Sequence, residues 1–278
     1  MTFDLHCHSH LSDGAHSPEQ VALRARANGV THLAFTEHDF MADHSALAQS
    51  LGGELDIIPG VEISTLHEGK EIHVVGLCLK ADNPALVELL AGQQAARRAR
   101  LQELDRMMSQ AGITGLLAYV SALPTRVPSR THAADFIVSK RLCRDRGRAF
   151  QSYLGRRGKF YAKPAWCPIE IAIKTIQAAG GLAILAHPHR YATTQSGLRR
   201  LAGSFAEAGG DGMEVACSNL DRGMLDRLAA VCMEARLLAS CGSDFHSASA
   251  SWMDLGRLPD LPQSCKKNAI WLAAGWHP

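Results

Sequence analysis

The sequence predicts an α/β fold built on a sheet of about seven strands. Short apolar runs of the kind found in buried strands recur along the chain, and they are FDLHCH (3–8), THLAFTEHD (31–39), LDIIPGVEIS (55–64), EIHVVGLCL (71–79), GLAILAHP (181–188), GMEVAC (212–217) and LLASCGSDFH (237–246). Amphipathic segments separate most of these runs, and such alternation is typical of a parallel sheet. This number of strands favours a closed barrel over an open sheet.

Three helices of the outer layer are predicted from their end signals. The first covers SPEQVALRARANG (17–29), where Ser17 is a candidate N-cap, Pro18 stands in the first turn and Gly29 marks the end. The second covers 194–209, where apolar residues recur at intervals of three and four. The third covers 221–235 and begins at Asp221.

The alternation of strands and helices breaks between residues 84 and 166. A long charged helix is predicted over 84–112, followed by PTRVPSRTHAADFIVSK (124–140) and the basic CRDRGRAFQSYLGRRGKF (143–160). Neither stretch has a strand pattern. We therefore predict that residues 1–83 and 167–278 form the barrel domain and that residues 84–166 form a helical insertion packed over one end of it as a substrate-binding cap.

Composition excludes several classes of protein. The chain has 278 residues, 46% of them hydrophobic and 20% charged, which excludes a disordered or fibrous chain. Its formal net charge of +2 is too small for nucleic-acid binding by bulk electrostatics, so any phosphate recognition has to be local. The eight cysteines form no C-x-x-C pair, which argues against a zinc ribbon or a disulfide framework.

The sequence also gives an expectation for localisation. No apolar run approaches the roughly 20 residues that a membrane span requires. The segment MTFDLHCHSH is polar where a signal peptide has an apolar stretch. We therefore expect a cytoplasmic protein without a membrane partner, and the sequence gives no sign of an obligate protein partner.

The strongest chemical signal is a series of histidines and carboxylates at strand ends. His6 and His8 are two apart on a predicted strand, so their side chains share one face, and Asp13 follows in the loop LSDG. Residues of ligand type also lie on or after the other strands, and they are His38, Asp39, Glu62, His73, His187, Asp244 and His246. Because barrel active sites form where the C-terminal ends of several strands meet, we expect these side chains to converge.

The chemistry of this set predicts the metal and the reaction. Imidazole and carboxylate ligands without a thiolate suit Mn²⁺, Fe²⁺ or Zn²⁺. The ligands are too many for one ion, so two or three divalent ions are expected, with Glu62 and Asp13 as bridging carboxylates. Such clusters cleave phosphate esters by generating hydroxide near neutral pH and stabilising the leaving oxygen. We expect Asp13 and His38 to be directly involved in catalysis.

Six motifs carry a resemblance to a known family. In order, HCHSHLSDG, TEHD, GVEIS, IHVVG, AHPHRY and GSDFH resemble the motifs of the PHP (polymerase and histidinol phosphatase) family of metal-dependent phosphoesterases. The match runs over most of the chain and is similar above all to the branch that contains a 3',5'-nucleoside bisphosphate phosphatase and a 5'-to-3' exoribonuclease. The resemblance implies a distorted (βα)7 TIM-like barrel and a trinuclear site, with Mn²⁺ expected first. The implied ligands, all among the strand-end residues and the first loop, are His6, His8, Asp13, His38, Glu62, His73, His187, Asp244 and His246.

Two residues depart from the family pattern. The usual T-D-H-D is here Thr36-Glu37-His38-Asp39, and the usual H-P-G-R-Y has His189 in place of glycine. Glu37 is a conservative change at a position expected to support the ligands. His189 puts a bulkier, titratable group beside one of them.

The resemblance also implies contacts to the substrate. The matching residues are Arg97, Arg100, Arg130, Thr131, His132 and, as a further candidate, Arg190. Arg97 and Arg100 are three apart on the long helix and share a face, and guanidinium groups suit phosphate oxygens. The alternative for this pair is a solvated helix face, and the alternative for Arg190 is a salt bridge at the barrel mouth. His132 is also considered as a tenth metal ligand.

We therefore expect a metal-dependent phosphoric ester hydrolase. Its expected reaction is removal of the 3'-phosphate from nucleoside 3',5'-bisphosphates, with 5'-3' exonuclease activity on short oligonucleotides as an extension. The expected partner is thus a small phosphorylated substrate, a nucleotide. One alternative is a phosphatase of histidinol phosphate or of another small molecule. The other is a non-catalytic, metal-stabilised module associated with a polymerase.

Overall fold

A nearly closed barrel of seven main strands forms the centre of the computed structural model, which describes residues 1–192, 194–249 and 253–276. The strands are β1 (Phe3–Cys7), β2 (His32–Phe35), β3 (Asp56–His67), β4 (Lys70–Leu77), β5 (Cys167–Pro168), β6 (Leu182–Leu185), β7 (Gly212–Cys217) and β8 (Leu238–Gly242). They neighbour one another in the order β1-β2-β3-β4-β6-β7-β8, and the two-residue β5 pairs with β3. The barrel closes where His8 donates its backbone N–H to the carbonyl of Phe245 at 2.9 Å. The predicted α/β barrel is therefore confirmed.

Helices surround the barrel and cover one end of it. They are α1 (Pro18–Ala27), α2 (Ser45–Ser50), α3 (Pro84–Gln110), α4 (Leu116–Ser121), α5 (Arg130–Ser139), α6 (Arg146–Ala149), α7 (Ile169–Ala178), α8 (Gln195–Glu207), α9 (Arg222–Glu234) and α10 (Ile270–Ala273). A short π-helix, Phe150–Leu154, continues α6. Among the described residues, no helix combines the length and the apolar character needed to cross a membrane.

The predicted helix ends are close to those observed. Ser17 and Gln20 form a reciprocal capping box at the start of α1, and Pro18 is the first helical residue. The Asp221 carboxylate accepts the N–H of Met224 at 2.7 Å at the start of α9. These caps use neighbours within three residues, which is why the local sequence is sufficient to predict them.

β4 runs antiparallel to both β3 and β6, which corrects the expectation of a parallel sheet. Only Glu68 and Gly69 connect β3 to β4, with φ values of 48° and 72° that suit a tight hairpin. A parallel connection would need a crossover of roughly a dozen residues or more. Because β4 is reversed, its first half lies at the same end of the barrel as the C-terminal end of β3, and Ser64 is paired with His73.

The segment between β4 and β5 has its own apolar core. Leu104, Met108, Phe136, Leu154 and Phe160 are among the buried members of this cluster, which is separate from the main barrel core. The core holds α3 to α6 together as one helical layer. That the layer forms a domain of its own, with the predicted boundaries, stays a prediction; those ranges also include residues 193, 250–252, 277 and 278, which lie outside the described residues.

The helical layer is anchored to the loop that follows β1. The N–H of Arg126 donates to the carbonyl of Leu11 at 2.9 Å. The hydroxyl of Thr125 donates to the carbonyl of Ser12 at 2.7 Å. These contacts place the insertion over the end of the barrel where the ligand-type residues were expected to meet.

Candidate metal centre

All nine side chains predicted as metal ligands meet at the C-terminal end of the barrel. They form four overlapping groups in which the ligand atoms lie within 4.8 Å of one another, namely His8–Asp13–His38–His246, His6–Glu62–His187, His6–His8–Asp244 and His38–Glu62–His73. Because the groups share residues, they form one continuous cluster. That these residues bind metal stays a prediction.

Strand geometry explains how these side chains come together. His6 lies in β1 and His8 immediately after it, and their Nε2 atoms are 3.2 Å apart. His187 and Asp244 follow β6 and β8 with left-handed backbone φ values of 31° and 53°. Such values are uncommon for residues other than glycine and are concentrated at functional sites. His73 reaches the same end because β4 is antiparallel.

Glu62 lies at the centre of the cluster. Its Oε1 is 2.7 Å from Nδ1 of His73 and 2.9 Å from Nε2 of His187. Its Oε2 is 2.8 Å from Nδ1 of His38 and 3.3 Å from Nε2 of His8. Each carboxylate oxygen thus faces a different pair of imidazoles, which is the geometry expected of a bridging ligand.

The other two carboxylates each present one oxygen to the cluster. Oδ1 of Asp13 lies 3.2 Å from Nε2 of His246, while its Oδ2 accepts the hydroxyl of Ser129 at 2.9 Å. Oδ2 of Asp244 pairs with the Arg190 guanidinium at 2.5 Å. Asp13 therefore has less freedom than Glu62 to bridge through both oxygens. Arg190 is in the salt bridge that was its alternative interpretation.

Buried atoms without hydrogen-bond partners test whether cations fit the cluster. Among the described residues, Asp13 Oδ1, His38 Nδ1 and Glu62 Oε2 are buried and make no hydrogen bond of acceptable geometry, although His38 Nδ1 and Glu62 Oε2 lie 2.8 Å apart. An unsatisfied buried polar group costs about 1–3 kcal/mol. The four groups contain imidazole and carboxylate but no cysteine, and this donor set suits Mn²⁺, Fe²⁺ or Zn²⁺. The residues therefore fit divalent ions.

Charge in the cluster leads to the same conclusion. Burial would raise the pKa of the Glu62 carboxyl, but the His73 and His6 imidazoles hold it well below its usual value. Burial disfavours protonation of His8, yet Asp244 and Glu62 raise its pKa to about 10. Burial lowers the pKa of His38 to about 4, so that ring is neutral and able to bind a cation. The carboxylates thus demand positive charge, from a proton on His8 or from a bound cation.

Glu214 supports the cluster and was not among the predicted site residues. Its Oε1 accepts a hydrogen bond from Nδ1 of His6 at 2.7 Å, and its Oε2 accepts the backbone N–H of His187 at 2.6 Å. A proton held on Nδ1 leaves Nε2 of His6 free to bind a cation. The available sequence signal is an acidic residue between Met213 and Val215 on an otherwise apolar strand.

Glu37, one of the two departures from the family pattern, shapes the loop that carries Asp13. It accepts the backbone N–H groups of Ser9 and Ser12 at 3.0 and 3.1 Å, and both hydroxyls as well. The hydroxyl of Ser12 in turn lies 3.3 Å from Nδ1 of His8. Glu37 therefore supports the ligands through the loop. The other departure, His189, lies in a short 3-10 turn, where burial lowers its pKa to about 4.

A cavity of about 140 Å³ opens beside the cluster. On the barrel side it is lined by Asp13, His38 and His73, and on the insertion side by Arg97, Arg100, Arg130, Thr131, Phe150 and Trp166, among others. Arg97 and Arg100 are only 7% and 8% exposed. The alternative of a solvated helix face is therefore wrong for this pair.

Fixed partners hold Arg97 against the barrel. Its Nε donates to Asp39 at 2.7 Å, and its Nη2 donates to the hydroxyl of Ser64 at 2.7 Å. Its guanidinium also lies 5.1 Å from the ring centre of Trp166. Asp39, a ligand-type residue in the sequence, thus serves as a partner of Arg97 and belongs to none of the four ligand groups.

Glu71 holds the other arginines of the cavity and was also not predicted. Its carboxylate accepts two hydrogen bonds from Arg100 at 3.0 and 3.1 Å, one from Arg130 at 3.3 Å and one from Trp166 at 3.0 Å. Burial would raise the pKa of Glu71, but its bonds to Arg100 and the charge of Arg130 lower it to about 2. The sequence signal is alternation, since Glu71 and His73 are two apart on β4 and share a face.

His132 is not brought to the cavity or to the ligand cluster. Its Nδ1 accepts the backbone N–H of Ser129 at 3.0 Å, which completes a capping box at the start of α5. It belongs to none of the groups of ligand atoms found among the described residues. The structure therefore gives His132 a helix-capping contact, whereas its neighbour Thr131 does line the cavity.

Comparison with known proteins gives a consistent set of similarities. Residues 4–124 match the model of the PHP domain family. The chain is 40% identical over 264 residues to a 5'-3' exoribonuclease of Haemophilus influenzae, covering 94% of this chain and 96% of that protein. It is 34% identical over 273 residues to a 3',5'-nucleoside bisphosphate phosphatase of Chromobacterium violaceum, covering 96% and 94%. It also resembles the structure of an amidohydrolase from Chromobacterium violaceum with bound sulfate and no metal, at a TM-score of 0.87 and 32% identity, covering 99% and 96%.

Proposed function

The chain belongs to the PHP domain family of phosphoesterases, and on that premise we propose that it removes the 3'-phosphate from nucleoside 3',5'-bisphosphates and trims short oligonucleotides from the 5' end. It is a hydrolase of phosphoester bonds. One observation supports the finer proposal most directly: ligand-type residues and three arginines line the same cavity. The arginines take the phosphate that is kept, and the cluster takes the phosphoryl group that is cleaved.

The nine clustered side chains would hold two or three divalent ions, Mn²⁺ first and Fe²⁺ or Zn²⁺ as alternatives. When bound, such ions supply Lewis acidity, which lowers the pKa of water and neutralises charge at the phosphoryl group. Glu62, with each oxygen facing different imidazoles, would be the bridging ligand. Glu214 keeps the His6 ring in the tautomer that leaves Nε2 free.

Asp13, His38 and His73 are the predicted ligands that line the cavity together with the arginines. The catalytic role of Asp13 and His38 would be to bind cations where the phosphoryl group enters. The hydroxyl of Ser129 fixes the orientation of the Asp13 carboxylate. Arg190 balances the negative charge of Asp244, with which it is paired. Preorganised charge of this kind is the main means of catalysis in phosphoryl transfer.

The two activities named for the relatives have a common chemical basis. A nucleoside 3',5'-bisphosphate has the same 5'-phosphate and 3'-phosphoryl group as the first nucleotide of a 5'-phosphorylated oligonucleotide. A site that binds the 5'-phosphate at Arg97 and Arg100 therefore presents the 3' ester to the cluster in both substrates. In both substrates water supplies the attacking oxygen and the 3'-oxygen of the bound nucleotide is the leaving group. The phosphoryl group is released as inorganic phosphate in the first case and stays as the 5'-phosphate of the shortened oligonucleotide in the second.

Phosphate release from two substrates tests the proposal. With Mn²⁺ present, adenosine 3',5'-bisphosphate should be hydrolysed with a higher kcat/KM than histidinol phosphate, which lacks a second phosphate for the arginines. Chromatography should identify adenosine 5'-monophosphate as the nucleotide product. Release of the 3'-monophosphate would show that the roles of the two ends of the cavity are reversed. A preference for histidinol phosphate would support the small-molecule alternative.

A further inference from the structure

A short segment of the insertion has a high density of positive charge. Residues 140–159, called the basic segment here, contain eight Lys or Arg residues and one acidic residue, Asp145. Their net charge of +7 compares with +2 for the whole chain, so the rest of the protein is net negative. The small net charge of the whole chain therefore does not reflect the strongly basic character of this segment.

Few of these charges are neutralised by neighbouring carboxylates. Arg146 is paired with Asp135 through two contacts of 2.5 and 2.8 Å. Arg144 pairs with Asp145 at 2.8 Å, but the guanidinium is 78% exposed, and exposed pairs of this kind contribute little. Arg148 donates to the neutral side chain of Gln151 at 2.8 Å. Among the described residues no carboxylate oxygen lies within 4.0 Å of the cationic groups at positions 140, 141, 148, 156, 157 and 159.

A surface groove of about 340 Å³ lies in the basic segment. It is lined by Leu142, Cys143, Arg144, Arg148, Ser152 and Tyr153. The Tyr153 ring is stacked on the ring of buried Phe160, with centres 5.9 Å apart, so its position is fixed by packing. An aromatic ring beside two cations is the combination that binds single-stranded nucleic acid, because the ring stacks on a base and the cations contact phosphates. An acidic protein would use the charges but would not need the ring.

The π-helix Phe150–Leu154 contributes residues both to the groove and to the cavity at the candidate metal centre. Phe150 lines the cavity and lies 5.7 Å from the Arg130 guanidinium. Ser152 and Tyr153, two and three residues further on, line the groove. π-Helices are rare and are frequently found at functional sites.

We propose that the basic segment binds single-stranded oligonucleotides along the phosphates that follow the 5'-terminal nucleotide, with Arg144, Arg148 and Tyr153 as the central contacts. The proposal rests on the proposed function only in placing the 5' end of the bound strand in the cavity. A mononucleotide does not extend to this surface. The basic segment should therefore affect long substrates and leave bisphosphate hydrolysis unchanged.

The test compares two double variants that remove the same charge. In Arg144→Gln/Arg148→Gln the two cations of the groove are lost, and in the control Arg222→Gln/Arg227→Gln two exposed arginines of α9 are lost. The probe is a fluorescein-labelled, phosphorothioate-linked single-stranded octanucleotide with a 5'-phosphate. Binding to the Mn²⁺-loaded enzyme is measured by fluorescence anisotropy at several salt concentrations.

The expected effect follows from counterion release. For single strands, each lost phosphate contact reduces the magnitude of the slope of log K against log salt by about 0.7. The slope measured for the groove variant should therefore be smaller in magnitude by about 1.4. Its affinity at low salt should fall at least roughly fivefold. Tyr153→Leu, which keeps an apolar contact with Phe160, should weaken binding by roughly 5- to 150-fold through loss of base stacking. Hydrolysis of adenosine 3',5'-bisphosphate should stay unchanged in all three variants.

Three results would overturn the proposal. Unchanged binding in the groove variant would show that Arg144 and Arg148 do not contact the oligonucleotide. An equal loss of affinity in the control would show that the effect comes from the net charge of the protein and not from the groove. Tighter binding of poly-glutamate than of the octanucleotide would assign the surface to an acidic protein. If the unmodified protein binds the octanucleotide as expected but does not hydrolyse the bisphosphate, the proposed function fails while the basic segment keeps its role.

Discussion

Replacing Arg100 with alanine tests whether the cavity holds the phosphate that is not cleaved. Arg100 is buried, and among the described residues it uses three N–H groups, two on Glu71 and one on the carbonyl of Ala162 at 3.0 Å. A guanidinium has five N–H donors. Two donors thus stay free for a phosphate, next to those of Arg97.

The size of the effect follows from these contacts. A hydrogen bond to a charged group contributes about 1.5–3 kcal/mol, which converts to roughly a 10- to 150-fold loss in kcat/KM. Because the retained phosphate is bound equally in the ground state and the transition state, KM should rise more than kcat falls. The same should hold for Arg97.

Glu71 complicates the interpretation of this variant and also supplies a control. Without Arg100, the Glu71 carboxylate keeps Arg130 and Trp166 as its partners within the described part of the chain, and it repels an incoming phosphate. The double variant Arg100→Ala/Glu71→Gln should therefore recover part of the lost affinity. Arg98→Ala is the matched control, because Arg98 is exposed on the same helix and should leave both kinetic constants unchanged.

The assay is steady-state phosphate release with two substrates in the presence of Mn²⁺. Arg100→Ala should be strongly impaired with adenosine 3',5'-bisphosphate and nearly normal with p-nitrophenyl phosphate, which has no second phosphate. Thermal unfolding followed by circular dichroism confirms that the variant is folded. An equal loss on both substrates would mean that Arg100 supports the fold or the metal centre, and no loss on either would refute a role in binding.

Four further predictions concern the metal centre and the pH dependence of stability. Elemental analysis after reconstitution with Mn²⁺ should find two to three equivalents of metal, and one equivalent or none would contradict a cluster of two or three ions. Chelation should abolish activity and lower Tm, since metal bound only to the native state stabilises that state. Asp244→Ala and His38→Ala should each reduce phosphate release by at least ~100-fold, and near-normal rates with full metal content would show that the site lies elsewhere. Glu214→Gln, which preserves shape but loses the charge that orients His6, should weaken metal affinity by roughly 10- to 100-fold in a chelator competition; an unchanged affinity would make the contact merely structural. Burial lowers the pKa of His44 below its ordinary value of 6.5, so the unfolded state binds more protons at this residue. The free energy of unfolding should therefore fall as pH drops below about 6.5. In urea titrations, His44→Phe should reduce the dependence of this free energy on pH, and an identical dependence would exclude His44 as its source.

Much of the fold could be predicted because its determinants are local. The strand runs, the capping residues Ser17 and Asp221 and the shared face of His6 and His8 all depend on neighbours a few residues apart. The convergence of ligand-type residues also follows, because strands of a barrel end at a common face. The direction of β4 was missed, although the two-residue link at Glu68 and Gly69 is too short for a parallel crossover.

The sequence by itself determined which chemical groups are available and which face of a strand or helix they occupy. Only the tertiary structure decided which of them meet. Arg97 pairs with Asp39 across 58 positions of the chain, and His6 meets Glu214 across 208. The same helix face with Arg97 and Arg100 would be solvated if no barrel loop covered it. Such contacts depend on how the complete barrel and the insertion pack together, and no local pattern of residues encodes that packing.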